Sequence, residues 1–488
     1  MSLDKNHERR KNMQKKGRYS GVLLLIGCLL LAGVSMGGIT TEASRFQSST
    51  FVDKQTNESV RKQVLDQQTS GEEIPTRVSK QTFPFYVAMQ NEQTVLLWDA
   101  SKQDSQLIPV ATDGKVQIID WSANKEWIAY LRSPDRKSYS GPWYLWISKA
   151  DGSKKYQVDS REITGTPKWS PTENMLVYQT REGSREEGIV VRITPNGIER
   201  IQTIFQQNEV NEVSDYSWYP DGKSLAVSFP QTQIENLHIN QVFLDGTSRT
   251  LYRQMTSTIT EGIYARDATG LVWSPNGAYL AYFEKPNSGS ISADGVPIKV
   301  LQIHSQKIFQ IGVGLAYPEW LTWSKDSTRL AFINGGDRMA TYGKNLRIWE
   351  VLNKQVYNKG QTDKVDSLPT FGSKEDAPLL FLRGQEAPWP TEMENHPLVP
   401  GQRIWQLNQA DQAKPITTGS SATADSSYSL APTGRQVAYV RLQTPTTGSL
   451  FVKDLRTGKE HELLKGVTLS SGYYGSYLPS WIQIAWKR

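Results

Sequence analysis

The stretch Trp273-Ser274-Pro275-Asn276-Gly277-Ala278-Tyr279-Leu280-Ala281-Tyr282 decides the fold. It predicts a strand ending in Trp-Ser, a tight Pro-Asn-Gly turn, and a second strand of small and aromatic residues. Pro275 presets φ at the second turn position, and Asn-Gly takes conformations that cost other residues energy. The run is a two-strand corner.

The corner recurs. Trp121-Ser122-Ala123-Asn124 leads to Trp127-Ile128-Ala129-Tyr130, and Trp169-Ser170-Pro171 leads to Leu176-Val177-Tyr178. Trp218-Tyr219-Pro220-Asp221-Gly222 precedes Leu225-Ala226-Val227, and Trp323-Ser324-Lys325-Asp326 precedes Leu330-Ala331-Phe332. Weaker copies start at Phe371 and Leu430, and Pro479-Ser480-Trp481 ends the series. The anchors 121, 169, 218, 273, 323, 371, 430 and 481 are 48 to 59 residues apart. A period near fifty built only of strands and turns is the signature of a β-propeller.

These copies resemble the WD40-like (PD40) repeat of TolB-type propellers. The second half of that repeat is visible in Leu145-Trp146-Ile147 with Asp151-Gly152, and in Val242-Phe243-Leu244-Asp245-Gly246. The resemblance covers residues 83 to 487 and implies the fold, while saying little about function, since such propellers include scaffolds, ligand binders and enzyme appendages. The chain also resembles the propeller half of membrane-anchored dipeptidyl peptidases, which carry an α/β-hydrolase domain as well. No Gly-x-Ser-x-Gly elbow lies within the repeats and the chain stops at Arg488, so peptidase activity is not expected.

Residues 81–488 are therefore expected to form an all-β propeller of about eight four-stranded blades, with seven as the alternative. Phe85-Tyr86-Val87-Ala88-Met89 and Thr94-Val95-Leu96-Leu97-Trp98 read as later strands of a blade lacking its first. The C-terminal residues supply a first strand and a candidate second, closing the ring and removing its exposed edges. Trp121, Trp169, Trp218, Trp273, Trp323 and Trp481 are assigned to packing between blades.

The net charge of +6 is misleading. Residues 1–20 hold seven Lys or Arg against Asp4 and Glu8, a balance of +5, which leaves +1 for the remaining chain. A nearly neutral ring has no field to gather phosphates, so nucleic acid is not an expected partner.

Residues 1–19 read as a basic cytoplasmic tail, and 20–39 as a transmembrane signal anchor. Gly21 to Ile39 carry no charge and as a helix span about 28 Å, enough for a bilayer core. Basic residues flank only the N-terminal side, which places the N-terminus in the cytoplasm and the propeller outside. Two alternatives stand: a signal peptide cleaved near Thr41-Glu42-Ala43, and a lipidated Cys28 within Leu25-Ile26-Gly27-Cys28. Cys28 is the sole cysteine, so the ring has no disulfide, a pattern that fits a bacterial exported protein. Residues 40–80 are polar and poor in large apolar groups, and read as a flexible stalk.

Within each blade the first-to-second and third-to-fourth turns are short and share one face. The second-to-third loops and interblade connections share the other, and there the sequence spends its length. That loop-rich face is the candidate binding surface. The aromatics outside the repeat frame, Tyr139, Trp143, Tyr264, Trp320, Tyr342, Trp389, Tyr473 and Tyr474, are the candidate partner-binding residues. Their plainer reading is loop-on-loop packing.

No catalytic set emerges. His7, His238, His304, His396 and His461 show no metal-ligand spacing, and no cofactor is expected. Charged residues Asp215, Glu261, Arg266, Asp267, Asp337, Arg338, Glu392 and Glu394 are candidates to meet at the channel mouth, where converging carboxylates would hold Ca²⁺; their plainer reading is a solvated charged rim. The expectation is a membrane-anchored, non-catalytic binding or scaffold module for a protein, peptide or cell-envelope glycan. The alternative is a hydrolase or lyase acting on a carbohydrate or lactone at the channel mouth.

Overall fold

The computed structural model describes residues 74–487 except 92, 113, 135–140, 208–212, 255–263, 376, 388–397 and 469–480. The strands assort into eight antiparallel sheets, each built on four strands in sequence order. They are the blades of an eight-bladed propeller, and the seven-blade alternative is excluded.

Blade 1 is composite: Ile482–Trp486, Phe85–Gln90, Val95–Asp99 and Ile108–Ala111. Blade 2 holds Lys115–Trp121, Trp127–Ser133, Tyr144–Lys149 and Lys155–Gln157. Blade 3 holds Lys168–Trp169, Met175–Glu182, Arg185–Thr194 and Gly197–Gln207, with Glu162–Ile163 added beside its second strand. Blade 4 holds Asp215–Trp218, Ser224–Phe229, His238–Phe243 and Ser248–Arg253. Blade 5 holds Arg266–Trp273, Tyr279–Pro286, Val296–Gln302 and Lys307–Gly314. Blade 6 holds Leu321–Trp323, Arg329–Asn334, Asn345–Glu350 and Val356–Asn358. Blade 7 holds Lys364–Phe371, Leu379–Gln385, Arg403–Leu407 and Ala413–Pro415. Blade 8 holds Ala424–Leu430, Gln436–Leu442, Thr447–Asp454 and Glu460–Thr468.

The repeated corner works through its serine. Ser274 Oγ donates to Asn276 Oδ1 at 2.8 Å and accepts from the Tyr279 amide at 3.0 Å. Ser122 with Asn124 and Ser324 with Asp326 repeat the arrangement. A short polar side chain here satisfies turn amides that burial would otherwise orphan. Gly277 holds φ +69, and a Cβ there would meet the Tyr219 hydroxyl at 2.3 Å. In blade 4 Tyr219 replaces the serine and instead donates to the Gly277 carbonyl of the next blade.

The corner tryptophans join neighbouring blades. Trp169 Nε1 donates to the Asp120 carbonyl at 2.9 Å, and Trp218 Nε1 to the Lys168 carbonyl at 2.9 Å. Trp323 reaches the Val272 carbonyl, and Trp121 the Gln483 carbonyl. Each indole thus fills the seam and ties off a carbonyl of the preceding first strand. Trp273 packs on Tyr219 instead, with ring centroids 4.6 Å apart.

The last copy is shifted from its expected frame. The C-terminus supplies one strand, Ile482–Trp486, paired from Phe85↔Trp486 to Met89↔Ile482. Trp486, not Trp481, takes the seam position, donating to the Ser429 carbonyl at 3.2 Å. Trp481 precedes the strand and is buried in the cluster shared by blades 1 and 8.

Thr76–Arg77 adds a fifth strand on the outer edge of blade 8, Thr76 opposite Lys465. The end of the segment expected as a stalk is therefore part of the ring. Arg77 continues to the blade 1 side, donating to the Lys102 and Gln103 carbonyls with its guanidinium over Trp98. Among the described residues no helix is long and apolar enough to cross a membrane. The anchor expected at 20–39, its basic tail and most of 40–80 lie outside the described residues.

Candidate functional site

The two faces of the ring differ as the strand order requires. One carries the serine corners and the hairpins at Asp151, Asp245 and Asp454, each aspartate capping its own turn. The other carries the second-to-third loops and the interblade connections. A short helix, Gly289–Ala293, folds one such loop in blade 5 and leaves Ile291 exposed. Blade 3 departs from the pattern with a tight hairpin, Glu182 facing Arg185.

The structure separates the candidate aromatics. Tyr264 and Tyr342 are exposed, at 49% and 44% of their surface, on different blades. Trp143 is half-buried against the cluster formed by blades 2 and 3. Trp320 is not a surface anchor but core: it is fully buried, packing edge-on to Tyr317 at 5.0 Å. Its indole lies inward because the 3-10 turn Pro318–Trp320 precedes the first strand of blade 6. Tyr139, Trp389, Tyr473 and Tyr474 lie outside the described residues.

The rim charges do not converge either. Asp215 is a clamp joining three blades: Oδ1 pairs with Lys168 of blade 3 at 2.7 Å. Its Oδ2 accepts from the Gly270 and Leu271 amides of blade 5. Arg266 pairs with Glu284 and Arg338 with Asp294. Burial pushes the Asp267 carboxyl up. Glu261, Glu392 and Glu394 fall outside the described residues, and among those described no three acids, histidines or cysteines gather as metal ligands.

A polar pocket of about 260 Å³ does open on the loop-rich face, between blades 6 and 7. Asn345 and Arg347 come from the third strand of blade 6, and Asn358 from its fourth. Thr362 and Asp363 follow on the interblade connection, and Glu386 leaves the second strand of blade 7. Arg347 Nε is buried without a hydrogen-bond partner among the described residues. Glu386 Oε1 accepts from the Gly343 amide at 2.9 Å.

Two buried cations support this pocket from beneath. Arg383 clasps Asp366 with donor-acceptor distances of 2.6 and 2.9 Å, both side chains being essentially inaccessible. The Asp366 carboxylate also accepts from the Leu346 amide, tying blade 7 to blade 6. Lys344 is fully buried and donates to the Gly336 and Tyr342 carbonyls at 2.8 Å.

Burial, only partly offset by Asp337 and Glu386, draws the Lys344 amine down to about 8. The sign of its pH effect follows. Above about pH 8 the folded chain releases a proton that the unfolded chain keeps until an ordinary lysine titrates. Stability is therefore expected to rise between pH 8 and 10, by at most about 1 kcal/mol per unit. Melting Lys344→Met beside the parent across that window tests it; an equal rise in both removes Lys344 as the cause.

The bore holds a second group. Asp120 sits on the first strand of blade 2, and Glu319 before the first strand of blade 6, on the opposite side of the ring. Both residues keep exposed surface, yet the protein packed around them in the bore pushes both carboxyls up, and Glu319 feels Lys168 and Asp120 electrostatically. No histidine joins them among the described residues. His238 stacks on Phe229 at 4.6 Å, His461 is on an outer strand, and His304 lies in a hairpin.

Sequence reading missed the pocket because its residues are spread over two blades and lie in no motif. Comparing equivalent positions of consecutive repeats would have flagged Arg347 as a cation lacking the acid its neighbour has.

No protein-family model and no curated protein sequence matches the chain. Among solved structures, Porphyromonas gingivalis dipeptidyl peptidase 4 is similar at TM-score 0.50 and 10% identity. That match covers 86% of this chain, which spans 62% of the peptidase. An oligogalacturonate lyase matches at TM-score 0.40 and 9% identity, over 78% of this chain and 84% of the lyase. TolB from Acinetobacter baumannii matches at TM-score 0.33 and 14% identity, over 86% and 85%. What the chain has in common with the peptidase is the β-propeller fold, here of eight blades.

Proposed function

We propose that this chain is a non-catalytic binding propeller, tethered to a cell membrane through residues 20–39 and displayed outside the cytoplasm. It docks a protein or peptide on its loop-rich face. One observation carries the docking: short hydrogen-bonded turns close one face, whereas the other opens a polar pocket whose guanidinium is unmatched. Exposed Tyr342 belongs to the same blade, and aromatic and arginine side chains dominate interface energetics. An envelope glycan is the weaker occupant, since no aromatic ring lines the pocket among the described residues. The tether rests on the basic tail and the uncharged run after it.

The test is capture on purified full-length chain fixed to a resin, with retained partners identified. Tyr342→Ala and Arg347→Gln are each expected to cut capture about tenfold or more, as hot-spot truncations do. Asn196→Ala, on the opposite face, should leave it intact. Retention indifferent to both loop-face variants would remove this face from the mechanism.

A second reading, a hydrolase or lyase on a carbohydrate or lactone, draws on Asp120 and Glu319. Carboxyls pushed above their ordinary range suit general-acid work. Glu319→Gln should change nothing in a binding module. Turnover of a glycoside or lactone that falls as pH rises, and that this substitution abolishes, would favour the enzyme.

A further inference from the structure

The repeat contains its own control for the pocket. Lys299 faces Tyr282 across blade 5, and Arg347 faces Phe332 at the equivalent place in blade 6. Lys299 is neutralised by Glu284 at 2.5 Å. The residue in Glu284's place in blade 6 is Asn334, whose Oδ1 accepts from the Val313 amide instead. Arg347 keeps the cation and lacks the carboxylate, with Nε dry and unsatisfied among the described residues. A half-buried guanidinium whose Nε has no partner gains from a planar anion.

The opposite charge is present in the same cavity. Asp363 lines it from a backbone held at φ 57. Glu386 spends one oxygen on the Gly343 amide and leaves the other for the pocket. One cation and two carboxylates therefore border the cavity, which a small molecule bearing both charges would match.

We infer that the pocket binds a small zwitterionic α-amino acid, its carboxylate on Arg347 and its ammonium on Asp363 and Glu386. The inference rests on the loop-rich face being the docking face. Size narrows the class. A cavity of about 260 Å³ is small for a ligand site, which favours a short side chain. Asn345, Asn358 and Thr362 favour a polar one. Gly360 keeps the cavity open: a Cβ there would meet Asn345 Oδ1 at 2.2 Å and drive that amide aside.

Titration calorimetry on the purified full-length chain tests this with L-serine, L-alanine, L-alaninamide, N-acetyl-L-alanine and trialanine. Serine and alanine are expected to bind, and each capped form to bind at least about tenfold more weakly. Arg347→Gln and Asp363→Asn should each lose at least about tenfold with an unchanged melting temperature. Should either variant fold poorly, Gly360→Ala reports on the same cavity and is expected to abolish binding. No heat up to about 10 mM, a Kd weaker than any useful site, would overturn the inference. So would equal binding of the capped forms or of trialanine, or a Gly360→Ala chain that binds as the parent does. A captured protein without amino-acid binding sinks this inference alone. Amino-acid binding without a captured partner sinks the docking reading alone.

Discussion

A chain ended at Trp481 is expected to lose its cooperative unfolding transition and to elute as aggregate. The missing strand is the only first strand available to blade 1. Five backbone pairings, from Phe85↔Trp486 to Met89↔Ile482, would go with it. The second strand of blade 1 would then face the bore as a bare edge, an invitation to pair with another chain. Trp486 also packs edge-on to Phe85 at 4.9 Å and closes the seam with blade 8. The Lys487 amide donates a hydrogen bond to the Pro84 carbonyl, and its side chain pairs with Asp99 at 2.6 Å. Burying a tryptophan is worth about 3–5 kcal/mol by truncation to alanine. Adding the isoleucines and the lost ladder approaches the about 5–15 kcal/mol that holds a whole domain together. Trp486→Ala alone should therefore fold but melt clearly lower. Size-exclusion chromatography and circular dichroism separate the cases; a truncated chain that stays monomeric and melts sharply would mean the ring closes without its C-terminus.

The second large effect is expected at Arg383. Replacing it by alanine leaves the inaccessible Asp366 carboxyl without its cation, its remaining donor among the described residues the Leu346 amide. Breaking one side of a buried pair typically costs about 3–5 kcal/mol. Arg383 further lies over Phe381 at 4.7 Å and donates to the Lys359 carbonyl at 2.6 Å, so packing is lost as well. The companion experiment replaces both partners, Arg383→Met with Asp366→Leu. Removing the two charges together should recover much of the loss, because burying the pair itself costs desolvation. Denaturant midpoints of the two single variants and the double variant give the coupling. A single variant as stable as the parent would show that water reaches the pair.

The fold was legible because its sequence signal is local and repeated. Trp-Ser, a turn and a small-residue strand fit within ten residues, and the serine satisfies amides of that same turn. Eight blades followed from counting anchors. The terminal copy was misframed by three neighbouring facts: Trp481, Pro479-Ser480 and Trp486 all offer a tryptophan corner, and only pairing with Phe85–Gln90 decides which is used. Trp320 misled for another reason. A residue directly before an inner strand looks like connection, but the Pro318–Trp320 turn folds the indole under its own blade. The pocket is legible only in three dimensions, since Arg347 and Glu386 meet through the contact of two blades. Asp215 shows the same limit: as a sequence it was one rim charge among several, and in space its two oxygens serve blades 3 and 5.

The outer strand Thr76–Arg77 has a mechanical meaning. The ring is latched from inside by its C-terminus and buckled from outside by its N-terminus, across the one seam between blades 8 and 1. A pull on whatever precedes residue 76 falls first on Arg77 and its carbonyl partners at Lys102 and Gln103.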